Sequence, residues 1–380
     1  MGRTRVKTKK ARPVQTDATQ AQAKEPPSIP SLLEKARSLV TQCDYDMAQK
    51  FVQRILERSS GHVEGKELLG VIQLEKGDIN DAKLTFQSLI SGPDAPQPPP
   101  PSAHLYLAQL TDDDPLLALK HYQAAVNIMF GQLKGKEPES KVTTEENEID
   151  IRRNIVRVLV AMVEIWMAPT YDLCFDPKAE ETCESLLKTA FEVDSNNVEA
   201  LICLSSFRLS QQKPDEAKES ATRAWFAWKD LDSDDPLVPP VPTRIELTKR
   251  FIEISDYASA LLVLQSVMGT DDQDVEAWYL EGWCFFLMAE QAKETGQDVE
   301  GLSWEELAQD ARDCLETCRT LHLNEDHSDK DLLGHTKELI TQLESLNIKP
   351  SPDGPTGPEE EDEWEDASDD SDGDGDVEMS

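Results

Sequence analysis

The feature that most constrains this chain is a pattern of small and apolar residues that repeats every 34 positions. In residues 63–89, apolar side chains follow a helical spacing, a Lys-Gly-Asp break interrupts them at 76–78, and Ala82, Phe86 and Leu89 resume it at i, i+4 and i+7. Gly70 and Ala82 are small residues twelve positions apart, where two facing helices can approach closely. Because a single helix hairpin cannot bury its apolar face alone, the pattern predicts stacked neighbours.

The same pattern recurs elsewhere in the chain. Counting back 34 positions from Gly70 and Ala82 leads to Ala36 and Ala48. A Val-Glu phrase opens three predicted first helices, at 63–64, 198–199 and 275–276. Recurrence at one fixed period is the signature of a helical repeat array, so the sequence predicts an all-α fold.

Charge separates the chain into three parts. Overall, 74 acidic side chains oppose 38 basic ones, which gives a net charge of -36. Residues 350–380 contain fourteen acids and no Lys or Arg, and residues 13–349 still contain 60 acids against 32 bases. A surface with this balance repels nucleic acid and attracts basic partners, so we expect no direct nucleic-acid binding.

The two ends of the chain lack any apolar period. We predict a disordered basic tail at 1–28 and a disordered acidic tail at 349–380, with the helical repeat domain between them at 29–348. The basic tail is interpreted either as a solvated segment or as a nuclear targeting signal for an import receptor. Its basic residues are Arg3, Arg5, Lys7, Lys9, Lys10 and Arg12.

Cysteine usage and hydropathy indicate the compartment. Seven cysteines are scattered without a C-x-x-C pair, and the chain shows no signal peptide and no long apolar span. We therefore expect reduced thiols, no membrane association, and a location in the cytoplasm and nucleus.

No motif for catalysis, metal binding or cofactor binding emerges. Cys314, Cys318 and His322 share a helix face, but a structural zinc site needs four convergent ligands, so we predict that they pack in the core. The sequence predicts a protein that is not an enzyme and needs no cofactor.

Acidic and aromatic residues on the predicted first helices are the strongest candidates for partner binding. In a helical solenoid the first helix of each pair lines the inner surface, where exposed side chains meet a ligand. Carboxylates interleaved with aromatic rings suit Lys and Arg side chains through ion pairs and cation–π contacts. The candidate residues are Glu64, Glu67, Glu75, Glu199, Glu253, Glu276, Tyr279 and Trp283.

The repeat resembles the tetratricopeptide family. Gly70 with Ala82, Ala36 with Ala48, and Gly282 with Trp278 four positions earlier follow its pattern over about residues 30–346. Ser205 and Thr248 depart from it, since the family places Gly or Ala there. This resemblance implies a right-handed superhelical solenoid of about six to seven helix pairs, closed by a final helix at 329–346.

The whole chain also resembles a family of fungal assembly chaperones dedicated to the fourth ribosomal protein of the large subunit. The likeness lies in the basic beginning, the proline-interrupted repeats with their Val-Glu-Ala phrase, and the acidic run Glu361–Asp366 with Trp364. The resemblance implies that a long basic internal loop of the client is captured in the concave groove, escorted into the nucleus and released onto the pre-ribosome.

Two other binding functions remain open from the sequence. A histone chaperone would also use an acidic surface, because histones are basic. A general tetratricopeptide scaffold that holds an acidic C-terminal peptide would need a groove lined with Lys, Asn and Arg, which the acidic composition argues against.

Overall fold

A computed structural model of the chain describes residues 27–111, 113–134 and 141–351, without the side chains of 141–146. These ranges form fifteen α-helices and no β-strand, which confirms the predicted all-α class. The predicted tails lie outside the described residues, except for 27–28 and 349–351.

The helices belong to two compact units that divide between Ile128 and Met129. The first unit contains α1 Ile29–Thr41, α2 Tyr45–Arg58, α3 Val63–Glu75, α4 Ile79–Ser91, α5 Pro101–Gln109 and most of α6 Pro115–Lys134. The second contains α7 Lys141–Met167, α8 Ala179–Val193, α9 Val198–Ser210, α10 Pro214–Phe226, α11 Val241–Glu253, α12 Tyr257–Met268, α13 Val275–Thr295, α14 Trp304–Asn324 and α15 Lys330–Ser345. In the ranges described, α1 to α14 form seven consecutive helix pairs, in agreement with the predicted number.

The Val-Glu phrase marks helix starts because a capping side chain precedes it each time. A free N–H group in the first turn of a helix is satisfied when the preceding side chain accepts its hydrogen bond. The acceptors are His62 for the Gly65 N–H at 3.1 Å, Asn197 for the Ala200 N–H at 3.1 Å, and Asp274 for the Ala277 N–H at 2.8 Å.

Four helix pairs reverse direction through the same backbone geometry. A residue with positive φ ends the first helix, and the next residue donates its N–H to the carbonyl five positions back, as in a Schellman motif. The positive-φ residues are Cys43, Gly77, Gln212 and Ser255. Only one of the four is glycine, so the repeat imposes this conformation on side chains that ordinarily avoid it.

Close packing at the repeated small residue holds each pair together. A Cβ atom on Gly70 would lie 2.4 Å from Cζ of Phe86, and one on Gly282 would lie 2.7 Å from Cγ of Leu315. Ser205 is fully buried, and its hydroxyl donates to the Ala217 carbonyl at 2.9 Å, twelve positions along the chain. The repeat thus tolerates a departure from Gly or Ala when the added polar atom has a partner.

The fully buried Thr248 satisfies its hydroxyl differently. It donates within its own helix, to the Arg244 carbonyl at 3.1 Å. Both departures from the family pattern therefore fit between the helices without an unpaired hydroxyl group.

The predicted final helix does close the second unit. Leu339, Ile340 and Leu343 of α15 are buried against α13 and α14. The guanidinium of Arg312, which is 5% exposed, donates to the Ile340 carbonyl at 3.1 Å and forms ion pairs with Glu316 and Glu344. The arginine fixes α15 to α14 because it is buried and both of its charge partners are in place.

The polar stretch 131–144 is helical at both of its ends. Helix α6 continues through Gly131 to Lys134, and α7 begins at Lys141. A side chain at Gly131 would meet no atom within 4 Å, so this glycine at the exposed end of α6 does not interrupt the helix.

The three residues considered for zinc are part of the core, as predicted. Cys314, Cys318 and His322 are buried, and the His322 Nε2–H group donates to the Asp329 carbonyl at 2.6 Å. Burial raises the pKa of the Cys318 thiol to about 11. The thiol is therefore protonated at neutral pH and behaves as a small core residue.

We predict opposite effects for two glycine-to-alanine substitutions. Gly70→Ala should lower the free energy of unfolding by about 1 to 3 kcal/mol, because the new methyl group overlaps the Phe86 ring. Gly334→Ala is the matched control: it lies exposed in α15 with no atom near the new Cβ, and should raise the free energy of unfolding by up to about 1 kcal/mol. Urea denaturation monitored by circular dichroism measures both, and equal effects would contradict the close-packing argument.

Candidate partner-binding groove

The second unit contains an open groove between the first helices of consecutive pairs. Helices α7, α9 and α11 border a cavity of about 520 Å3. Its walls combine apolar side chains with three carboxylates and two guanidinium groups. The lining residues are Arg157, Val160, Glu164, Met167, Ala168, Glu199, Ile202, Cys203, Ser206, Thr243, Glu246 and Arg250.

The predicted carboxylates of the second unit all take part in ion pairs. Each lies on a first helix, and its cation comes from the same or an adjacent first helix. The pairs are Glu199 with Arg157 at 3.1 Å, Glu253 with Arg250 at 2.9 Å, and Glu276 with Lys249 at 2.8 Å. Their side chains are still 27% to 48% exposed, so they remain accessible to a partner's cation.

Helix α13 carries the two predicted aromatic residues. Tyr279 and Trp283 stack with ring centroids 5.9 Å apart, and the His335 ring lies edge-on to both. The Tyr279 hydroxyl is 2.7 Å from His335 Nδ1. Burial raises the pKa of Tyr279 to about 12, so the phenol is neutral at physiological pH. Both rings are partly buried, and the His335 ring packs against each of them.

The predicted carboxylates of the first unit have partners within that unit. Glu64 forms an ion pair with Arg37 at 2.8 Å, Glu67 accepts a short hydrogen bond from Ser102, and Glu75 accepts one from Tyr45 at 3.2 Å. The six basic residues predicted for nuclear targeting, between Arg3 and Arg12, lie outside the described residues.

Glu164, a groove carboxylate without a cation among the described residues, is not one of the residues predicted from the sequence. No Lys or Arg in the described part of the chain lies within ion-pair distance of it. Although its side chain is exposed in the groove, desolvation by the surrounding protein raises its pKa, and the charges of Glu246 and Glu199 add to the shift. Glu164 was passed over because it is a lone acid within the apolar run 158–167 of α7.

Glu246 was also missed. It bridges two cations of α11, since it lies 2.8 Å from Lys249 and 3.5 Å from Arg250. Lys249 in turn reaches Glu276 of α13. Ion pairs thus join α7 to α9 and α11 to α13, and Arg250 of α11 donates to the Ser206 hydroxyl of α9 at 3.3 Å.

Within the described residues, no group of three or more His, Cys, Asp or Glu side chains is arranged to hold a metal ion. No helix in the same ranges has both the length and the hydropathy to cross a bilayer.

Two curated relatives of the chain share one description. No family model matches the chain. It is 29% identical over 301 residues to the "Probable assembly chaperone of rpl4" of Schizosaccharomyces pombe, covering 79% of this chain and 84% of the relative. It is also 29% identical over 362 residues to the protein of the same description from Emericella nidulans, covering 90% and 89%.

A solved structure shows the same relationship in three dimensions. The chain of "Assembly Chaperone of RpL4 (Acl4) (Residues 1-338)" matches with a TM-score of 0.63 and 27% sequence identity, over 71% of this chain and 100% of that one. The 34-residue repeat, the seven helix pairs and these similarities lead to one conclusion. The chain resembles the assembly chaperones of rpl4 and shares the fold of the solved one, with a tetratricopeptide-like pattern of small residues in its helix pairs.

Proposed function

We propose that this protein is a dedicated chaperone that binds a basic, unfolded segment of a large-subunit ribosomal protein and keeps it soluble. The observation that carries the proposal is the similarity, over 79% to 90% of the chain, to relatives described as assembly chaperones of rpl4. The acidic balance of the repeat body supports the same assignment, since a basic client needs an acidic binding surface. A binding protein of this kind acts without catalysis.

The groove of the second unit is our candidate for the binding site. A Lys or Arg side chain of the client could lay its aliphatic stem on Val160, Ile202 and Met167 and bring its charged group to Glu164. Such a contact would supply the cation that Glu164 lacks. Arg would bind more strongly than Lys at a carboxylate because it donates two parallel hydrogen bonds.

The paired carboxylates would take part by exchange of partners. Exposed ion pairs contribute only about 0 to 1 kcal/mol, so a client arginine can displace Arg157 from Glu199 or Lys249 from Glu276 at small cost. Many such exchangeable ion pairs make association with the client fast, and they make the association rate depend strongly on salt concentration. Tyr279 and Trp283 provide apolar contact area for the client. Ribosomal RNA, with its higher charge density, would then displace the chaperone.

We propose that the complex forms in the cytoplasm and travels to the pre-ribosome in the nucleus. The cluster of six bases between Arg3 and Arg12 supports this part of the proposal, because compact Lys and Arg runs are what import receptors bind. The client is the ribosomal protein, with the import receptor as an additional partner.

Substitution of Glu164 by Gln should separate binding from stability. We expect the affinity for a basic client peptide to fall about tenfold, the usual scale for one charge-assisted hydrogen bond. Because the folded-state pKa of Glu164 is raised, its ionised form opposes folding at neutral pH, so Glu164→Gln should leave the melting temperature equal or higher. Glu219→Gln, at an exposed position on α10, is the control and should change neither quantity.

The pH dependence of binding provides a second readout of the same substitution. Protonation removes the charge that attracts the client, and a raised pKa moves this loss to higher pH than for an ordinary Glu. The affinity of the natural protein should therefore begin to fall in mildly acidic buffer, while the Glu164→Gln protein should show a flatter profile. Fluorescence anisotropy with a labelled peptide would measure both, and identical profiles would contradict a role for Glu164.

Charge reversal on the first helices should abolish client capture. We expect Glu199→Lys with Glu276→Lys to lose the client in affinity purification, because each new cation repels a basic segment. Glu219→Lys with Glu192→Lys changes the net charge equally at exposed positions on the second helices α10 and α8, and this variant should retain the client. Mass spectrometry of the captured proteins identifies the client: a large-subunit ribosomal protein is expected, and core histones alone would favour a histone chaperone. Equal loss in both variants would show that only net charge matters.

The basic tail should direct nuclear import. Replacing its six Lys and Arg residues by Gln keeps the chain length and removes the charge that an import receptor binds. The nuclear fraction of a fluorescent fusion should fall severalfold, with client binding in lysate unchanged. An unaltered distribution would contradict the targeting role while leaving the chaperone proposal intact.

A further inference from the structure

The segment that follows α15 is bound back onto α14. Asn347 has a φ of +60°, which reverses the chain, and the Ile348 N–H group donates to the Leu343 carbonyl at 3.1 Å. The Ile348 side chain then packs against the core cluster formed by α13, α14 and α15. We refer to residues 346–351 as the strap.

Two side chains of α14 hold the end of the strap. The Gln309 amide donates to the Lys349 carbonyl at 2.6 Å. The Asp313 carboxylate accepts two hydrogen bonds from Ser351, one from its main-chain N–H at 2.8 Å and one from its hydroxyl at 2.5 Å. One carboxylate thus satisfies both donors of Ser351.

Ser351 belongs to a type of dipeptide that occurs once in this chain. Of its 23 prolines, only Pro352 follows a serine or threonine. A Ser-Pro dipeptide is the minimal target of proline-directed protein kinases. The one such dipeptide in the chain therefore coincides with the residue that ends the strap.

We propose that Ser351 is a phosphorylation site and that its modification releases the strap from α14. The serine Oγ would attack the γ-phosphorus of ATP, forming the Oγ–P bond and breaking the bond to the bridging oxygen. The hydroxyl proton passes to the base of the kinase, and ADP leaves. The reaction needs no reactant beyond the nucleoside triphosphate and the kinase.

Phosphorylation is incompatible with the contact that the structure shows. It removes the hydroxyl hydrogen that Asp313 accepts and replaces it with a group of charge about -1.5 to -2 at neutral pH. The surroundings are already acidic, since Asp310 and Glu306 lie on the same helix, and desolvation and the charges of Asp313 and Glu306 raise the pKa of Asp310. Like-charge repulsion would therefore separate Ser351 from α14.

Release would change the point where the acidic segment is attached. In the bound state the segment after Ser351 starts from α14, whereas after release it would start from the end of α15 at Ser345. The six freed residues add up to about 20 Å of reach, at about 3.4 Å per extended residue. The fourteen acidic side chains between 350 and 380 would then be able to contact groups that lie farther from the helices by up to that distance.

Phosphorylation of the full-length chain tests the proposal. The protein, its Asp313→Ala variant and its Ser351→Ala variant are incubated with Mg-ATP and a purified mitogen-activated protein kinase. We expect one phosphate at Ser351, faster incorporation in Asp313→Ala because the serine is no longer held, and none in Ser351→Ala. Hydrogen exchange with mass spectrometry should show amide exchange in 346–351 rising about tenfold after phosphorylation, to the level of Asp313→Ala, as expected from losing a charge-assisted hydrogen bond.

Two outcomes would overturn the proposal. Absence of phosphate at Ser351 even in Asp313→Ala, with circular dichroism showing a folded protein, would exclude the site. Phosphate at Ser351 with unchanged exchange in 346–351 would show that the strap tolerates the modification. Neither outcome depends on the client, so both are independent of the proposed chaperone function.

Discussion

Close contact between the two helices of each pair is the constraint on which the rest of this structure depends. Where Gly70 meets Phe86 and Gly282 meets Leu315, a Cβ atom on the glycine would overlap the neighbouring side chain. These pairs therefore pack at a spacing that favours small residues, and the larger Ser205 and Thr248 fit at the equivalent position with bonded hydroxyl groups. In the second unit this packing places α7, α9 and α11 side by side, and the groove lies between them.

The groove couples partner binding to stability through its charges. Most of its carboxylates are compensated by Arg or Lys from neighbouring first helices, which lets an acidic surface fold without strong self-repulsion. Glu164 is the exception, since it faces Glu199 and Glu246 and has no cation among the described residues. Without a client, an uncompensated carboxylate in this setting destabilises the folded protein. With a basic client bound, the same carboxylate makes a favourable contact, which is the usual compromise at binding sites.

The fold was predicted well because its determinants are local and repeated. The 34-residue period, the Val-Glu phrase and the break at 76–78 gave the helix pairs and the closing helix. Ser205 and Thr248 looked like failures of the repeat in the sequence, yet both occupy the expected buried position with bonded hydroxyl groups. Helix α6 continues past Gly131 to Lys134 because an exposed helix tolerates glycine and polar residues at a modest cost.

The sequence by itself determined the helical class, the register of the repeats outside residues 131–195 and the acidic character of the first helices, because these follow from residue spacing and composition. Only the tertiary structure decided which carboxylates have cations on other helices, since the partners of Glu64, Glu199 and Glu276 lie 27, 42 and 27 residues away and come together only when helices pack. For the same reason it alone revealed the uncompensated Glu164 and the attachment of Ser351 to Asp313. Spacing along one helix can place a side chain on a face, but contacts between helices depend on how those faces meet.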